Sequence, residues 1–376
     1  MSGASNAPVV LAAGGTGGHL FPAEALAAEL QRRGRAVALV TDARAAGYET
    51  RFPGVAVHVV PSGTPSARGV VGKLRAGFDI AIGVMAARRT LRQIAPSVVV
   101  GFGGYPSFPT MLAAAQMRLP TVIHEQNAPL GRVNRVLAGR VGAIAASFPD
   151  TIGVREIDQA KVTVTGNPVR DAIRAVRDVA YAAPGRERPL NLLILGGSQG
   201  ATILSDVVPA ALAALPTDLR MRLRVVQQCR PEDLARVNAV YAEAGIAAET
   251  AAFISDVPAR LAACHLAITR AGASTVAELT VAGRPSILVP YLHAMDDHQT
   301  ANAKALVAAG AAYLTPQLGF TPATLQAALQ ILLDNDIALA RMAASARALG
   351  RPDAAVALAD LVLSRNGGHG HLARAA

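Results

Sequence analysis

His19 closes the run Gly14-Gly15-Thr16-Gly17-Gly18-His19, and an imidazole at the end of a glycine loop can take a proton from a hydroxyl. Glycines let backbone N–H groups approach a ligand, and a helix that follows them offers its positive end to an anion. A second loop, Gly196-Gly197-Ser198-Gln199-Gly200, repeats Gly14, Gly15, Thr16 and Gly18 at one constant offset. A tight strand-to-helix turn needs one or two glycines, so the four around Thr16 suit a ligand loop better. For His19 itself, a capping or packing histidine is the plain alternative. Neither loop reads G-x-G-x-x-G, and neither carries G-K-S/T, which excludes a nucleotide-hydrolysing P-loop.

Other polar clusters fall just after apolar runs. His124-Glu125-Gln126-Asn127 places four polar residues at a strand end, which is costly unless they meet solvent or ligand, or form a hydrogen-bonded corner. Strand C-termini favour the ligand reading. Arg170, after Gly166-Asn167-Pro168-Val169, is either a surface arginine or an anion clamp at a hinge. Ser274 or Thr275 either caps a helix or sits with phosphates at its N-terminus, where the macrodipole supplies about half a positive charge. In the latter reading Glu278 accepts hydrogen bonds from ribose hydroxyls. Asp296-Asp297-His298-Gln299, with Asn302, follows a further strand, but His293 and His298 form no tidy metal-ligand set. Asp334-Asn335-Asp336 looks like a metal-binding D-x-D motif, yet no strand precedes it and a helix-ending turn fits better.

The elements that must position these groups alternate. Apolar runs at 9–13, 37–41, 55–60, 97–101, 121–124, 143–146 and 162–165 are separated by helical patterns, as are those at 190–195, 222–227, 267–270 and 286–289. Short β-branched strands alternating with helices predict parallel sheets covered on both faces. The chain is 376 residues long with 52% hydrophobic and 16% charged residues, enough for two large cores. The reading is therefore α/β, two doubly wound Rossmann-like domains facing across a cleft. Residues 1–170 form the first domain, 171–189 a linker, 190–350 the second, 351–365 a last helix and 366–376 a frayed tail.

A net charge of +10 favours anionic partners, but aromatics at 4% and no tryptophan make nucleic acid the weakest of these. Two lone cysteines, Cys229 and Cys264, suit a reducing compartment. No basic stretch precedes an apolar one, so no signal peptide is expected. Prolines and glycines break the long uncharged stretch 93–117 as a membrane span. In the helical pattern 69–93, Val71, Leu74, Phe78, Ile82 and Met85 share a stripe flanked by Lys73, Arg75, Arg88, Arg89 and Arg92. Such a stripe packs into a core or meets an anionic bilayer surface.

Taken in order, GGTGGH at 14–19, GFGGYPS at 101–107, HEQNA at 124–128, TGNPVR at 165–170, GGSQGA at 196–201, RAGASTVAEL at 270–279 and DDHQTANA at 296–303 resemble the MurG family. The resemblance spans nearly the whole chain. It implies the GT-B fold, with the last helix crossing back to a first, acceptor-binding and membrane-associating domain, and a second domain holding the donor. It also implies inverting transfer of N-acetylglucosamine from UDP-GlcNAc to lipid I, giving lipid II in peptidoglycan synthesis. Carried over by motif, His19 is the base candidate with Glu125 assisting. Thr16, Gly17 and Gly18 lie at the diphosphate end, Asn127 at the sugar, Arg170 and Ser198 at phosphate. Ile254 lines the uracil pocket, Ser274 and Thr275 bind phosphate, Glu278 ribose and Gln299 sugar hydroxyls. No metal or other cofactor is expected. The partners implied are donor, lipid I, an anionic membrane surface and proteins of cell-wall synthesis, at the cytoplasmic face of the inner membrane as a peripheral enzyme. Pro129 and His298 depart from the pattern, where glycine and glutamine are common. Two rival readings are a UDP-GlcNAc 2-epimerase and a non-catalytic UDP-sugar sensor.

Overall fold

A computed structural model describes residues 7–15, 17–43, 50–62, 70–185, 188–197 and 200–365, and of residues 70–76 the backbone alone. The chain divides into two compact units, Met1–Arg170 with Asp353–Ala376, and Asp171–Pro352.

The first unit contains β1 (Val9–Ala12), α1 (Gly17–Arg32), β2 (Val37–Thr41), β3 (Ala56–Val59), α2 (Val70–Ile94) and β4 (Val98–Gly101). It continues with α3 (Gly104–Gln116), β5 (Thr121–Glu125), α4 (Arg132–Leu137), β6 (Ala143–Ala146) and β7 (Val162–Val164). The strands pair in the order β3-β2-β1-β4-β5-β6-β7, every pair parallel. Alternation along β1 explains why the sheet is covered twice. Val9 and Leu11 pack with Leu20, Leu26 and Leu30 of α1, whereas Val10 and Ala12 pack with Val84, Ala87 and Leu91 of α2 and Met111 of α3. Both faces are buried, so the strands read as continuous apolar runs.

The second unit opens with α5 (Asp171–Val176), then β8 (Leu190–Leu195), α6 (Thr202–Ala213), α7 (Thr217–Arg222), β9 (Leu223–Gln228), α8 (Leu234–Glu243) and β10 (Ala247–Ala251). It closes with α9 (Val257–Ala263), β11 (Leu266–Thr269), α10 (Ala273–Ala282), β12 (Ser286–Leu288), α11 (His298–Ala308), β13 (Ala312–Leu314), α12 (Pro322–Leu333) and α13 (Asp336–Leu349). Its parallel sheet runs β10-β9-β8-β11-β12-β13. Leu190, Leu192 and Ile194 bury against Leu204 and Val208 of α6, Val237 and Tyr241 of α8, and Leu325 and Leu329 of α12.

Two details differ from the expectations, and a third, the place of the last helix, agrees with them. The stretch 171–189 is packed structure where it begins: Ile173 and Val176 of α5 are buried, and the Tyr181 hydroxyl donates to the His265 carbonyl at 3.0 Å. Strands β10 and β13 were not anticipated. Both are edges: the first three residues of β10 are exposed and it carries Glu249 and Thr250, while β13 is only the three residues Ala312–Leu314. The last helix, α14 (Ala354–Ser364), belongs to the first unit, where Leu358 and Val362 join the α1 cluster and Asp360 pairs with Arg33 at 2.6 Å.

Candidate active site

In the first unit, β1 ends at a loop whose Gly14 approaches the first turn of α3. A Cβ there would stand 2.8 Å from the Cβ of Pro106. Gly15 takes φ +88°, a left-handed value that costs a glycine little. Helix α1 begins at once, with Gly18 exposed and His19 half-buried in its first turn. Thr16 lies outside the described residues.

The HEQN run from the end of β5 is not open to solvent. His124, Glu125 and Gln126 are buried at 0%, 2% and 2% exposure. Their polarity is satisfied internally, as the hydrogen-bonded-corner alternative requires. His19 Nδ1 lies 3.2 Å from Gln126 Oε1. Gln126 Nε2 lies 2.9 Å from His124 Nδ1 and donates to the carbonyls of Phe102 at 3.0 Å and His124 at 3.1 Å. His124 Nε2 meets the Gly166 carbonyl at 3.1 Å. Burial holds the His124 imidazole down at about 4, against a weaker upward pull from that carbonyl, with the nearby His19 charge also lowering it.

Glu125 has a different task from the one expected. Its Oε1 accepts from the backbone N–H and side-chain amide of Asn127 at 3.0 and 3.3 Å. Its Oε2 accepts from Gly131 N at 2.8 Å and Asn134 Nδ2 at 2.9 Å. A carboxylate enclosed by four N–H donors anchors the turn leading into α4; it is not placed to receive a substrate proton. Asn127 is thereby held half-buried at the start of that turn. Nearby, both side-chain atoms of Asn167 are buried without a hydrogen-bond partner among the described residues. Arg170 lies 4.6 Å over the Phe21 ring of α1, on the same ring as Arg51 at 5.1 Å. Burial raises the pKa of Glu24 beside them, while Arg170 and Arg51 pull it the other way.

The second unit repeats the glycine loop in its backbone. Gly197 takes φ +88°, the value of Gly15, and Gly200 takes φ +72°. A Cβ at Gly196 would stand 2.5 Å from Ala201 N. Gln228, at the end of β9, pins the loop by accepting from Gly196 N at 3.1 Å and donating to Gly197 O at 2.9 Å. Ser198 lies outside the described residues. Helix α10 has Gly272 as its N-cap, so Ser274 and Thr275 sit inside the first turn and neither caps it. Ser274 Oγ is buried without a hydrogen-bond partner among the described residues. Gln299 Oε1 accepts from Ala271 N at 3.2 Å and Tyr291 N at 2.9 Å, tying two strand-end loops together. Arg270 donates to the Val289 and Pro290 carbonyls and to Gln317, and burial lowers its pKa. Asp296 and Asp297 take left-handed φ values of 53° and 48°, a strained pair costing about 1–3 kcal/mol each. Asn335 caps α13 through Ala338 N at 2.9 Å, so the D-x-D look-alike is a helix junction. Among the described residues no group of three His, Cys, Asp or Glu side chains converges.

Residues 9–146 match the glycosyltransferase family 28 N-terminal domain and residues 191–358 its C-terminal domain. A relative from Rhodospirillum centenum, 55% identical over 363 residues and 96% of each chain, is named UDP-N-acetylglucosamine–N-acetylmuramyl-(pentapeptide) pyrophosphoryl-undecaprenol N-acetylglucosamine transferase. The crystal structure of Acinetobacter baumannii MurG superimposes with a TM-score of 0.77 at 32% identity, covering 95% of this chain and 99% of that one. The chain belongs to the MurG family.

Membership of the MurG family makes the two parallel-sheet units those of a GT-B glycosyltransferase. UDP-GlcNAc 2-epimerase from Neisseria meningitidis, solved with UDP-GlcNAc, has a TM-score of 0.66 at 14% identity over 95% of this chain and all of that one, a likeness of fold alone. Within the MurG frame, the structure gathers His19, Gln126, His124 and Asn127 at the strand ends of the first unit, with Arg170 against α1. In the second unit Gly196 and Gly197 lie just after β8, Ser274 and Thr275 in the first turn of α10 and Gln299 in the first turn of α11, while Ile254 is buried in the loop following β10 and Glu278 is half-buried on α10. Gln126, which meets His19, was not singled out from the sequence. Its signal was present in the sequence as the polar residue between Glu125 and Asn127, but its partner His19 is 107 positions away.

Proposed function

We propose that the protein is an inverting N-acetylglucosaminyltransferase that moves the sugar of UDP-GlcNAc to the 4-hydroxyl of the N-acetylmuramyl unit of lipid I, giving lipid II. The observation that carries this is identity of 55% across 96% of both chains with a transferase of that name. His19 removes the hydroxyl proton as the oxygen attacks the anomeric carbon. The bond from that carbon to the diphosphate breaks, and UDP leaves with its electron pair. Asn127 and the amide group of Gln299 serve sugar hydroxyls, Arg170, Ser198 and Thr16–Gly18 the phosphate region, Ile254 the uracil and Glu278 the ribose. Backbone N–H groups of the glycine loop and the first turn of α10, with Ser274 and Thr275, stabilise the charge on departing UDP without a metal ion.

Peripheral attachment to the cytoplasmic face of the inner membrane completes the reading, since the acceptor is a membrane lipid. Phe78 and Met85 of α2 are 67% and 63% exposed, Ile82 is at its exposed edge, and Arg89 and Arg92 lie beside them. The core-facing side of the helix is instead Val84, Ala87 and Leu91. An apolar stripe rimmed by arginines suits an anionic bilayer surface. None of the described helices is long and apolar enough to cross a membrane. Cell-wall synthesis proteins fit as further partners.

The test is turnover of lipid I with radiolabelled UDP-GlcNAc, with and without a strong chelator. Labelled lipid II formed in both conditions supports the reading. Donor epimerised without acceptor, or donor bound but never turned over, overturns it; activity lost to chelation and rescued by Mg²⁺ removes its metal-free part.

A further inference from the structure

The contacts of His19, Gln126 and His124 determine where protons sit. A carbonyl oxygen can only accept, so His124 Nε2, 3.1 Å from the Gly166 carbonyl, carries the hydrogen. Full burial keeps the ring neutral, so its Nδ1 bears a lone pair. That lone pair accepts from Gln126 Nε2 at 2.9 Å. The amide orientation is not a free choice. Reversing it would set Oε1 against the Phe102 and His124 carbonyl oxygens, neither of which has a hydrogen to donate to it. With Nε2 committed inward, Oε1 faces His19 Nδ1 at 3.2 Å, and an amide oxygen can only accept. His19 Nδ1 must then carry the hydrogen, leaving Nε2 with the lone pair. On the Nε2 edge of the ring stand Gly103 and Gly104 with φ +82° and +71°. A Cβ on Gly104 would come within 3.2 Å of both Nε2 and Cδ2.

We propose that His124 and Gln126 are positioning residues that lock neutral His19 in its Nδ1–H tautomer, so that Nε2 is the atom presented to the acceptor hydroxyl. The proposal rests on the reading of His19 as the base. The lock starts at a backbone carbonyl and needs no charge: Gly166 O orders His124, His124 orders Gln126, and Gln126 orders His19. Without it the neutral imidazole divides between two tautomers, and in one of them Nε2 has no lone pair to offer. Outer-shell partners that orient metal-bound histidines are worth about 10–100-fold in activity, and the same scale is expected for a base oriented in this indirect way.

Two measurements test it in the whole protein. Nitrogen-15 NMR of histidine-labelled enzyme, with the His19 signals assigned by their loss in His19→Ala, should show neutral His19 protonated at Nδ1. Protonation at Nε2 overturns the lock, whatever the kinetics. In turnover of lipid I, His124→Leu, which removes the acceptor for Gln126, should lower kcat about 10–100-fold with KM for UDP-GlcNAc unchanged, and His19 should appear as a tautomer mixture. His124→Asn, whose Oδ1 stands near the Nδ1 position, should restore most of kcat and the single tautomer. Equal kcat in wild type and His124→Leu, or a loss that His124→Asn does not rescue, refutes the proposal. Full turnover by His19→Ala removes the base assignment instead, while the spectra still decide the lock.

Discussion

Keeping His124 neutral inside the first unit ties stability to pH with a definite sign. Burial lowers its pKa from 6.5 to about 4. As pH falls, the unfolded chain therefore takes up the proton before the folded one does. The stabilisation is fully present above pH 6.5 and is lost progressively as pH falls toward 4. At 1.36 kcal/mol per pK unit the whole effect is about 3 kcal/mol, and linkage places about 2 kcal/mol of it between pH 8 and pH 5. His124→Asn removes the titrating group while keeping a polar contact. It should be less stable than wild type at pH 8, and that deficit should shrink by about 2 kcal/mol at pH 5. Urea titrations read by hydrogen exchange of peptides covering β5 and β6 report the first unit specifically, so the second unit does not confound them. Parallel stability–pH curves for wild type and variant would refute the reasoning, because no charge-free burial of His124 could then exist.

Three further outcomes follow from particular contacts. Glu125→Gln turns two acceptors into one and sets an NH₂ against N–H donors, so it should cost about 1–3 kcal/mol in urea unfolding of the first unit; wild-type stability with abolished turnover would return Glu125 to the chemistry. Gly196→Ala forces a Cβ to within 2.5 Å of Ala201 N, and calorimetry should show UDP-GlcNAc affinity falling at least about tenfold, a loss of about 1.4 kcal/mol; unchanged affinity would exclude this loop as a donor contact. Replacing exposed Phe78 and Met85 with serine should weaken sedimentation with anionic vesicles by at least about tenfold, given about 1.5–3 kcal/mol for each such side chain fully buried; unaltered partitioning would remove α2 from the membrane account.

Much of the architecture was written in local pattern. The runs that became β1, β2, β4, β5 and β8 are apolar on both faces, because each is sandwiched between helices, and such runs stand out without any alignment. The internal repeat also survives at atomic detail, Gly15 and Gly197 sharing one backbone angle. Edge strands β10 and β13 were not legible in the same way: β10 carries Glu249 and Thr250 on a half-solvated edge, and β13 is only three residues long. The stripe Phe78, Ile82 and Met85 was correctly seen as helical, but periodicity could not say that Val84, Ala87 and Leu91 face the core instead.

What the residues determined alone was the alternation of elements, the two glycine loops and the small set of polar groups near strand ends. What only the folded chain decided was the use of each polar group. Glu125 and Gln126 are adjacent and chemically similar, yet one closes a turn through Gly131 and Asn134 while the other reaches back to His19 and inward to His124. Those assignments depend on donors and acceptors brought within 3.3 Å from up to 107 positions away. Hydrogen bonds are short-ranged and directional, so sequence spacing cannot rank their partners until packing has set the distances.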